Sequence, residues 1–260
     1  MTILDEIAGY ARLRVEKQKE KKSIEAIRFE AALLAKKGFV FEEALKKDGL
    51  SFICECKKAS PSKGIIAEEF PYADIALDYE KAGADAISVL TEPKWFLGKD
   101  AYLAEISSLV NIPCLRKDFV VDEYMIHEAV ILGASAVLLI CSLLTEEEIK
   151  RYIRICDGLG LSALVEAHDE EEVKKAINAG ARIIGVNNRN LRDFSVDTEN
   201  SKRLRSLIPN DILFVSESGV KGPEDVKAIR DMGADAVLVG ETLMRAADKT
   251  IKLKELKSLL

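Results

Sequence analysis

The chain has 260 residues, 38 of them Lys or Arg and 44 Asp or Glu, and 48% of it is hydrophobic. That composition excludes intrinsic disorder and supplies one sizeable core, with a usual domain size of about 150 residues leaving one large or two small domains open. The net charge of −6 mixes both signs without a polybasic block, which argues against nucleic acid or an anionic membrane as partner and leaves small anions open.

In chain order, residues 1–48 come first and are too long for a linker. Leu4, Ile7, Ala11 and Val15 recur at helical spacing, and residues 16–22 are almost wholly charged, so this segment is expected to form extra helices with a solvated face. Asp5 and Glu6 stand where a signal peptide needs an uninterrupted apolar run, and a cytoplasmic location is expected. Residues 129–144 form the longest apolar stretch, but Gly133, Ser135 and Ser142 interrupt it and it falls short of the ~18 residues of a membrane span. The five cysteines contain no C-x-x-C pair and read as reduced, buried thiols. With only His127 and His168 present, no multi-histidine metal site is expected.

Beyond residue 48 the pattern repeats. KAGADAISV from Lys81, LGASAVLLI from Leu132, NAGARIIGV from Asn178 and MGADAVLVG from Met232 look alike, and their glycines, Gly83, Gly133, Gly180 and Gly233, are 50, 47 and 53 residues apart. Each is a helix ending at a glycine suited to the left-handed position, followed by a continuous apolar run. Such runs belong to a parallel sheet covered on both faces. Between repeats there is room for one more strand and helix. The predicted strands are therefore 50–57, 86–91, 112–118, 136–140, 162–167, 183–187, 213–218 and 236–239. Helices fall between them, for example 169–178 with an acidic first turn and 223–232 with Pro near its first position. Eight alternating units in this length predict an α/β chain folded as one (β/α)₈ TIM barrel over 1–260, with 1–48 as an N-terminal helical extension. A doubly wound open sheet is the alternative, and it lacks its usual G-x-G-x-x-G after the first strand.

In such barrels the chemistry sits where strands end. The first strand ends Glu55-Cys56-Lys57, and i, i+2 spacing puts Glu55 and Lys57 on one face. The third ends Arg116-Lys117-Asp118-Phe119, the fifth at Glu166, the sixth Asn187-Asn188-Arg189, the seventh Ser216-Glu217-Ser218-Gly219 and the eighth Gly240-Glu241. Two lysines and two glutamates directed into one mouth shift one another's pKa values, as acid and base chemistry near neutral pH requires. Arg116 and Asp118 fall on the opposite face from Lys117 and are expected to brace the barrel from outside. His168 is read as a loop or helix-cap residue, because no G-x-S-x-G elbow accompanies it. Ser218-Gly219 and Gly240-Glu241 follow the seventh and eighth strands, where backbone N–H groups recurrently hold phosphate, so a phosphorylated small metabolite is the leading ligand.

These residues resemble the indole-3-glycerol phosphate synthase family of tryptophan biosynthesis. The matching segments are ECKKASPSKGII from Glu55, LRKDFVVDEY from Leu115, LVEAHDEEE from Leu164, GVNNRNL from Gly185, VSESGV from Val215 and VLVGETLMR from Val237. The resemblance implies closure of 1-(2-carboxyphenylamino)-1-deoxyribulose 5-phosphate to an indole with loss of CO₂ and water, without cofactor or metal. It implies Lys117 as general acid, Glu55 and Lys57 as a coupled pair, Glu166 acting on the intermediate or in dehydration, and Asn187 holding intermediate and hydroxyls. It also implies Arg189 for the ring carboxylate, Ser60, Ser218, Gly219, Gly240 and the Glu241 backbone for the phosphate, and Phe96, Phe119, Leu138 and Leu191 for the ring pocket. Trp95 and Met125 depart from the family's pattern and bear on the shape of that pocket. Two alternatives stand beside it. Another phosphate-binding isomerase or aldolase would share the glycine pair and release no CO₂, and a non-catalytic binding barrel would leave the ligand unchanged. A monomer is compatible with the pattern.

Overall fold

The computed structural model describes residues 2–190 and 193–260. Eight parallel strands close on themselves: β1 (Ser51–Cys56), β2 (Ala86–Leu90), β3 (Cys114–Lys117), β4 (Ala136–Ile140), β5 (Ser162–Ala167), β6 (Ile183–Asn187), β7 (Leu213–Glu217) and β8 (Ala236–Val239). Each pairs with its neighbour in sequence, and β1 closes the ring by pairing β2 at Ile53 with Ala86 and β8 at Ser51 with Ala236. The barrel and the eight strands expected from the repeat are therefore present. The differences lie at strand ends. The third strand begins at Cys114, after Pro113, which has no N–H to donate to the ladder. The seventh stops at Glu217, because Ser218 turns to φ +68° and leaves the extended region.

The repeat glycines do what their spacing implies. Gly83, Gly133, Gly180 and Gly233 have φ between +81° and +87°, ending the helix before each repeat strand. The aspartates that follow two of them close gaps in the barrel, since Asp85 accepts from the Phe52 N–H and Asp235 from the Phe214 N–H. The predicted helix at 169–178 runs Glu170–Asn178 with Asp169 as its N-cap, and Pro223 opens the helix Pro223–Asp231.

Two apolar layers result from strand alternation. Outward residues such as Cys54, Val137 and Val237 pack beneath the helices. Inward residues, among them Ile53, Leu115, Leu164, Ile183 and Val215, fill the barrel interior. All five cysteines are free and buried, and burial pushes the thiols of Cys114 and Cys141 up to about 12. No helix among the described residues is long and apolar enough to cross a membrane.

The N-terminal segment covers both ends of the barrel. Helix α1 (Ile3–Lys21) buries Leu4, Ile7, Ala11 and Val15, as its spacing implies. It is anchored over the C-terminal mouth by Arg14 on Asp118 at 2.8 Å, Lys19 on Asp122 at 2.8 Å and Gln18 on Glu128 at 2.8 Å. Helix α2 (Ile24–Leu33) lies against the helix Glu123–Ile131. Helix α3 (Val40–Leu45) closes the opposite end, where fully buried Phe41 and Leu45 join the interior cluster and Glu42 grips Arg182 through two oxygens.

Candidate active site

The inward face of each strand carries apolar residues low in the barrel and different chemistry at its last inward position. On β1, β3, β5, β6 and β7 that position is Glu55, Lys117, Glu166, Asn187 and Glu217, whereas on β2, β4 and β8 it is Leu90, Ile140 and Leu238. The mouth thus divides into a charged half and an apolar half, which together line a cavity of about 540 Å³. Nearly every position singled out from the sequence meets there: Glu55, Lys57, Ser60, Phe96, Lys117, Phe119, Leu138, Glu166, Asn187, Arg189, Ser218, Gly219, Gly240 and Glu241 all line it. Leu191 lies outside the described residues.

Lys117 is the hub of the charged half. Its Nζ stands 3.1 Å from Glu166 Oε2 and 3.3 Å from Glu217 Oε2. Burial alone would depress this ammonium, but the Glu166, Glu217 and Glu55 carboxylates outweigh it and hold the pKa above the ordinary lysine range. The two carboxylates on Lys117 are pushed apart. Burial raises both, yet Glu166 also faces His168 and accepts from Asn187, and its pKa ends below the ordinary value. At Glu217 burial and the charges of Glu166 and Glu55 outweigh Lys117, and its pKa rises to about 7. Glu166 is therefore the ionised base and Glu217 the carboxyl that exchanges a proton near neutrality.

Glu217 is the residue that the sequence reading passed over. It was visible as the next inward position after Val215, and Gly185 on the neighbouring strand is its counterpart, since a Cβ there would stand 2.1 Å from Glu217 Oε1. On the first strand, Glu55 holds Lys57 at 2.5 Å, so the expected pair is formed. Arg116 braces the barrel from outside, fully buried and reaching Asp100, Glu128 and the Met125 carbonyl. Asp118, beyond the end of the strand, instead lines the cavity, where it accepts from Thr91 and Arg14.

The apolar half is held by a loop device. After β2 the buried Glu92 carboxylate accepts from the N–H groups of Lys94, Trp95 and Phe96 at 2.7 to 2.9 Å, and this fixes Phe96 5.9 Å from the Phe119 ring. Ile3, Leu4 and Ile7 of α1 complete the wall. Trp95 and Met125 fall outside the cavity lining. Trp95 packs edge-on against Tyr10 of α1, and Met125 is buried under the helix that carries it.

At the remaining edge, Ser218 and Gly219 both have positive φ, and Ser218 Oγ donates to Asn187 Oδ1 at 2.9 Å. A Cβ at Gly219 would meet Thr198 at 2.6 Å, so both conformation and space require glycine. Gly240 precedes the short helix Glu241–Arg245, whose first carboxylate pairs with Arg245 at 3.0 Å and Lys63 at 3.6 Å. Arg189, which the resemblance assigns to the ring carboxylate, has its Nη2 4.0 Å from Glu241 Oε2 and so stands beside the phosphate residues in the free protein.

Asp169, not His168, caps the helix after β5, and His168 packs instead against Glu166. Its Nδ1 is 3.0 Å from Glu172 Oε2 and its Nε2 is 3.4 Å from Glu166 Oε1. Burial would lower this imidazole, but the hydrogen bond to Glu172 and the charges of Glu166, Glu172 and Glu217 raise it above the usual range.

The family model of indole-3-glycerol phosphate synthase matches residues 4–256. A protein of that name from Ruminiclostridium cellulolyticum is 59% identical over 256 residues, covering 98% of each chain. Another from Endomicrobium trichonymphae is 54% identical over 256 residues, 98% of this chain and 99% of its own. Among solved structures, a 3-hexulose-6-phosphate synthase superposes with TM-score 0.64 at 15% identity over 81% of this chain and all of its own. A thiamine phosphate pyrophosphorylase from Pyrococcus furiosus gives 0.61 at 16% identity over 81% of this chain and 94% of its own. These two likenesses show the barrel alone.

Proposed function

The chain belongs to the indole-3-glycerol phosphate synthase family, and from that premise we propose how its own residues carry the ring closure. The observation that carries the reading is Lys117, an ammonium held by two carboxylates at the edge of an aromatic-walled slot. The aryl ring of the substrate lies between Phe96, Phe119 and Leu138. Its phosphate takes the backbone N–H groups around Gly219 and Gly240-Glu241 together with Ser60 and Ser218, donors that need no dedicated basic side chain. Arg189 turns from Glu241 to the ring carboxylate, for which its planar fork is suited.

Ring closure joins the carboxylate-bearing ring carbon to the ketone carbon. Lys117 gives a proton to the ketone oxygen as that bond forms, cancelling the developing alkoxide where water is scarce. CO₂ then leaves, and its bonding electron pair restores the aromatic ring. The hydroxyl departs as water after a second protonation, and Glu166, the ionised carboxylate, takes the hydrogen lost from the methylene carbon beside nitrogen. Glu55 holds Lys57 at the same mouth as the second ammonium. With the substrate carboxylate ionised, oxygen gains two protons and carbon returns one, so each turnover takes one proton from solvent.

A soluble phosphorylated substrate fits an enzyme working in the cytoplasm, and all groups named come from one chain, so a monomer suffices. The direct test is indole fluorescence on mixing the protein with the aryl-amino deoxyribulose phosphate. Formation of indole-3-glycerol phosphate with CO₂ release is expected, and binding without conversion would contradict the reading.

A further inference from the structure

Proton supply is the part of this reaction that the groups in the mouth do not complete among themselves. Lys117 loses a proton at ring closure, and its neighbours Glu166 and Glu217 are almost fully buried. The hydrogen that Glu166 takes from carbon can return to Lys117 across 3.1 Å. The net proton of each turnover still has to enter from outside.

One contact leads out of the barrel. Glu166 uses Oε2 for Lys117 and turns Oε1 toward His168 Nε2, 3.4 Å away, while the other ring nitrogen meets Glu172 at 3.0 Å. Glu172 in turn accepts from Ser142 and from the His168 N–H. His168, Glu172 and Ser142 line a second, polar cavity of about 900 Å³ that Glu166 and Lys117 do not line. The imidazole stands between Glu166 and the second cavity, which adjoins the first at Leu4, Asn187 and Arg189. One ring nitrogen faces the catalytic carboxylate and the other Glu172.

We propose that His168 is the residue through which solvent protons return to Lys117 by way of Glu166. It touches no reacting atom and acts through Glu166. The imidazolium gives its Nε2 proton to Glu166 Oε1, the N–H electron pair staying on nitrogen. The Glu166 carboxyl turns about its Cγ–Cδ bond and passes that same proton to the neutral Lys117 amine. The neutral imidazole, which keeps its Nδ1–H, turns to carry Nε2 to the second cavity, takes a proton there from solvent and turns back. The net change is one proton moved from solvent to Lys117.

The ring's surroundings favour this cycle. The charged groups facing it are Glu166 on β5, Glu172 on the helix Glu170–Asn178 and Glu217 on β7, and their charges favour the cation. Asp5, Asp169, Glu171 and Asp197 add negative charge to the second cavity, against Lys175, Arg189 and Arg203. Lys175 is occupied by the Cys141 and Leu144 carbonyls and Arg203 by Asn200. Asn200 also donates to the His168 carbonyl, which fixes the loop.

The inference rests on Lys117 as the acid, and its test separates the two claims. For His168→Asn, steady-state kcat is expected to fall about tenfold, less than the ~10²–10⁴-fold of a group that acts on substrate directly because slower routes from solvent remain, and added imidazole is expected to restore most of it. The first turnover measured by rapid mixing should fall far less, because Lys117 begins protonated. In Glu172→Gln the ring remains but loses the carboxylate that stabilises its cation, so the alkaline limb of kcat should move to lower pH. Equal loss in first and later turnovers with no imidazole rescue, an unchanged kcat in His168→Asn, or an unmoved alkaline limb in Glu172→Gln would each overturn the relay. A normal first turnover in Lys117→Met would instead overturn the acid assignment beneath it.

Discussion

Gly240 faces Glu55 so closely that a Cβ built on it would stand 2.4 Å from Glu55 Oε1, and 3.0 Å from Lys57 Nζ. The glycine after the eighth strand thus leaves room for the ion pair at the end of the first. Gly240 also stands where the sequence places the approach of a phosphate, so a bulky side chain there should block that anion and raise KM. The geometry adds a second consequence. Since φ of −117° at Gly240 tolerates a side chain, Gly240→Ala should fold normally while displacing the Glu55–Lys57 pair. A fall in kcat of about 10- to 100-fold is expected, the scale of a misplacement near 1 Å. Steady-state kinetics check this, and a change confined to KM would mean that only the phosphate is affected.

Glu217 makes a prediction about pH. Its carboxyl is raised in the folded protein from the ordinary 4.5 to about 7, so the folded state holds a proton that the unfolded chain releases. The stability this contributes is fully present below pH 4.5 and is lost as pH rises through about 7. Glu217→Gln carries no such proton, and its stability relative to the parent should improve by up to about 3 kcal/mol across that window. Urea unfolding of both proteins between pH 5 and 8 measures the trend. A constant difference would show that Glu217 is an ordinary carboxylate.

Glu166 and Glu217 share one ammonium, which makes their effects interdependent. The loss in kcat for the double variant Glu166→Gln, Glu217→Gln should be smaller than the product of the single losses, because either substitution already perturbs Lys117. The same reasoning extends to Glu55 with Glu166, since both carboxylates raise Lys117. Strictly multiplicative losses would mean that the carboxylates act separately.

The charged half of the site was legible because period-two alternation and the barrel rule together fix which side chains enter the mouth. Glu55, Lys57, Lys117 and Glu166 follow from it directly. Glu217 obeyed the same rule and was masked by its neighbours, Ser218 and Gly219, which attract attention as an anion site. The role of α1 was not legible. Helical spacing gives the buried stripe of Leu4, Ile7, Ala11 and Val15, but which end of the barrel it covers depends on pairs about 100 residues apart, such as Arg14 with Asp118. His168, two residues after Glu166, obeys the same alternation as Glu55 and Lys57; what the sequence leaves open is the partner of its other nitrogen, Glu172 on the following helix.

Phe41 separates stability from chemistry. It is fully buried at the closed end of the barrel, with the cavity at the other. Phe41→Ala should cost about 3–5 kcal/mol of unfolding free energy, the usual range for such a truncation, with kcat per folded molecule unchanged. Chemical denaturation and active-site titration measure the two parts. A loss of kcat in the folded fraction would show that the base plug transmits to the mouth.

Arg189→Ala tests substrate orientation. Binding of ligands that carry the ring carboxylate should weaken, while the product, which has lost it, should bind nearly as before. Calorimetric titration with product and with a non-reacting carboxylate analogue distinguishes the cases. Equal weakening of both would assign Arg189, near Glu241 in the free protein, to the phosphate.

The most direct measurement is the turnover of Lys117→Met, followed by indole fluorescence under saturating substrate, with folding verified by circular dichroism. Methionine keeps the length of the side chain and removes the proton. If Lys117 is the acid of ring closure, kcat should fall by about 10²-fold or more, the usual effect of losing a positioned acid, with KM little changed. Turnover near that of the parent protein would contradict the assignment and move the acid role to Lys57.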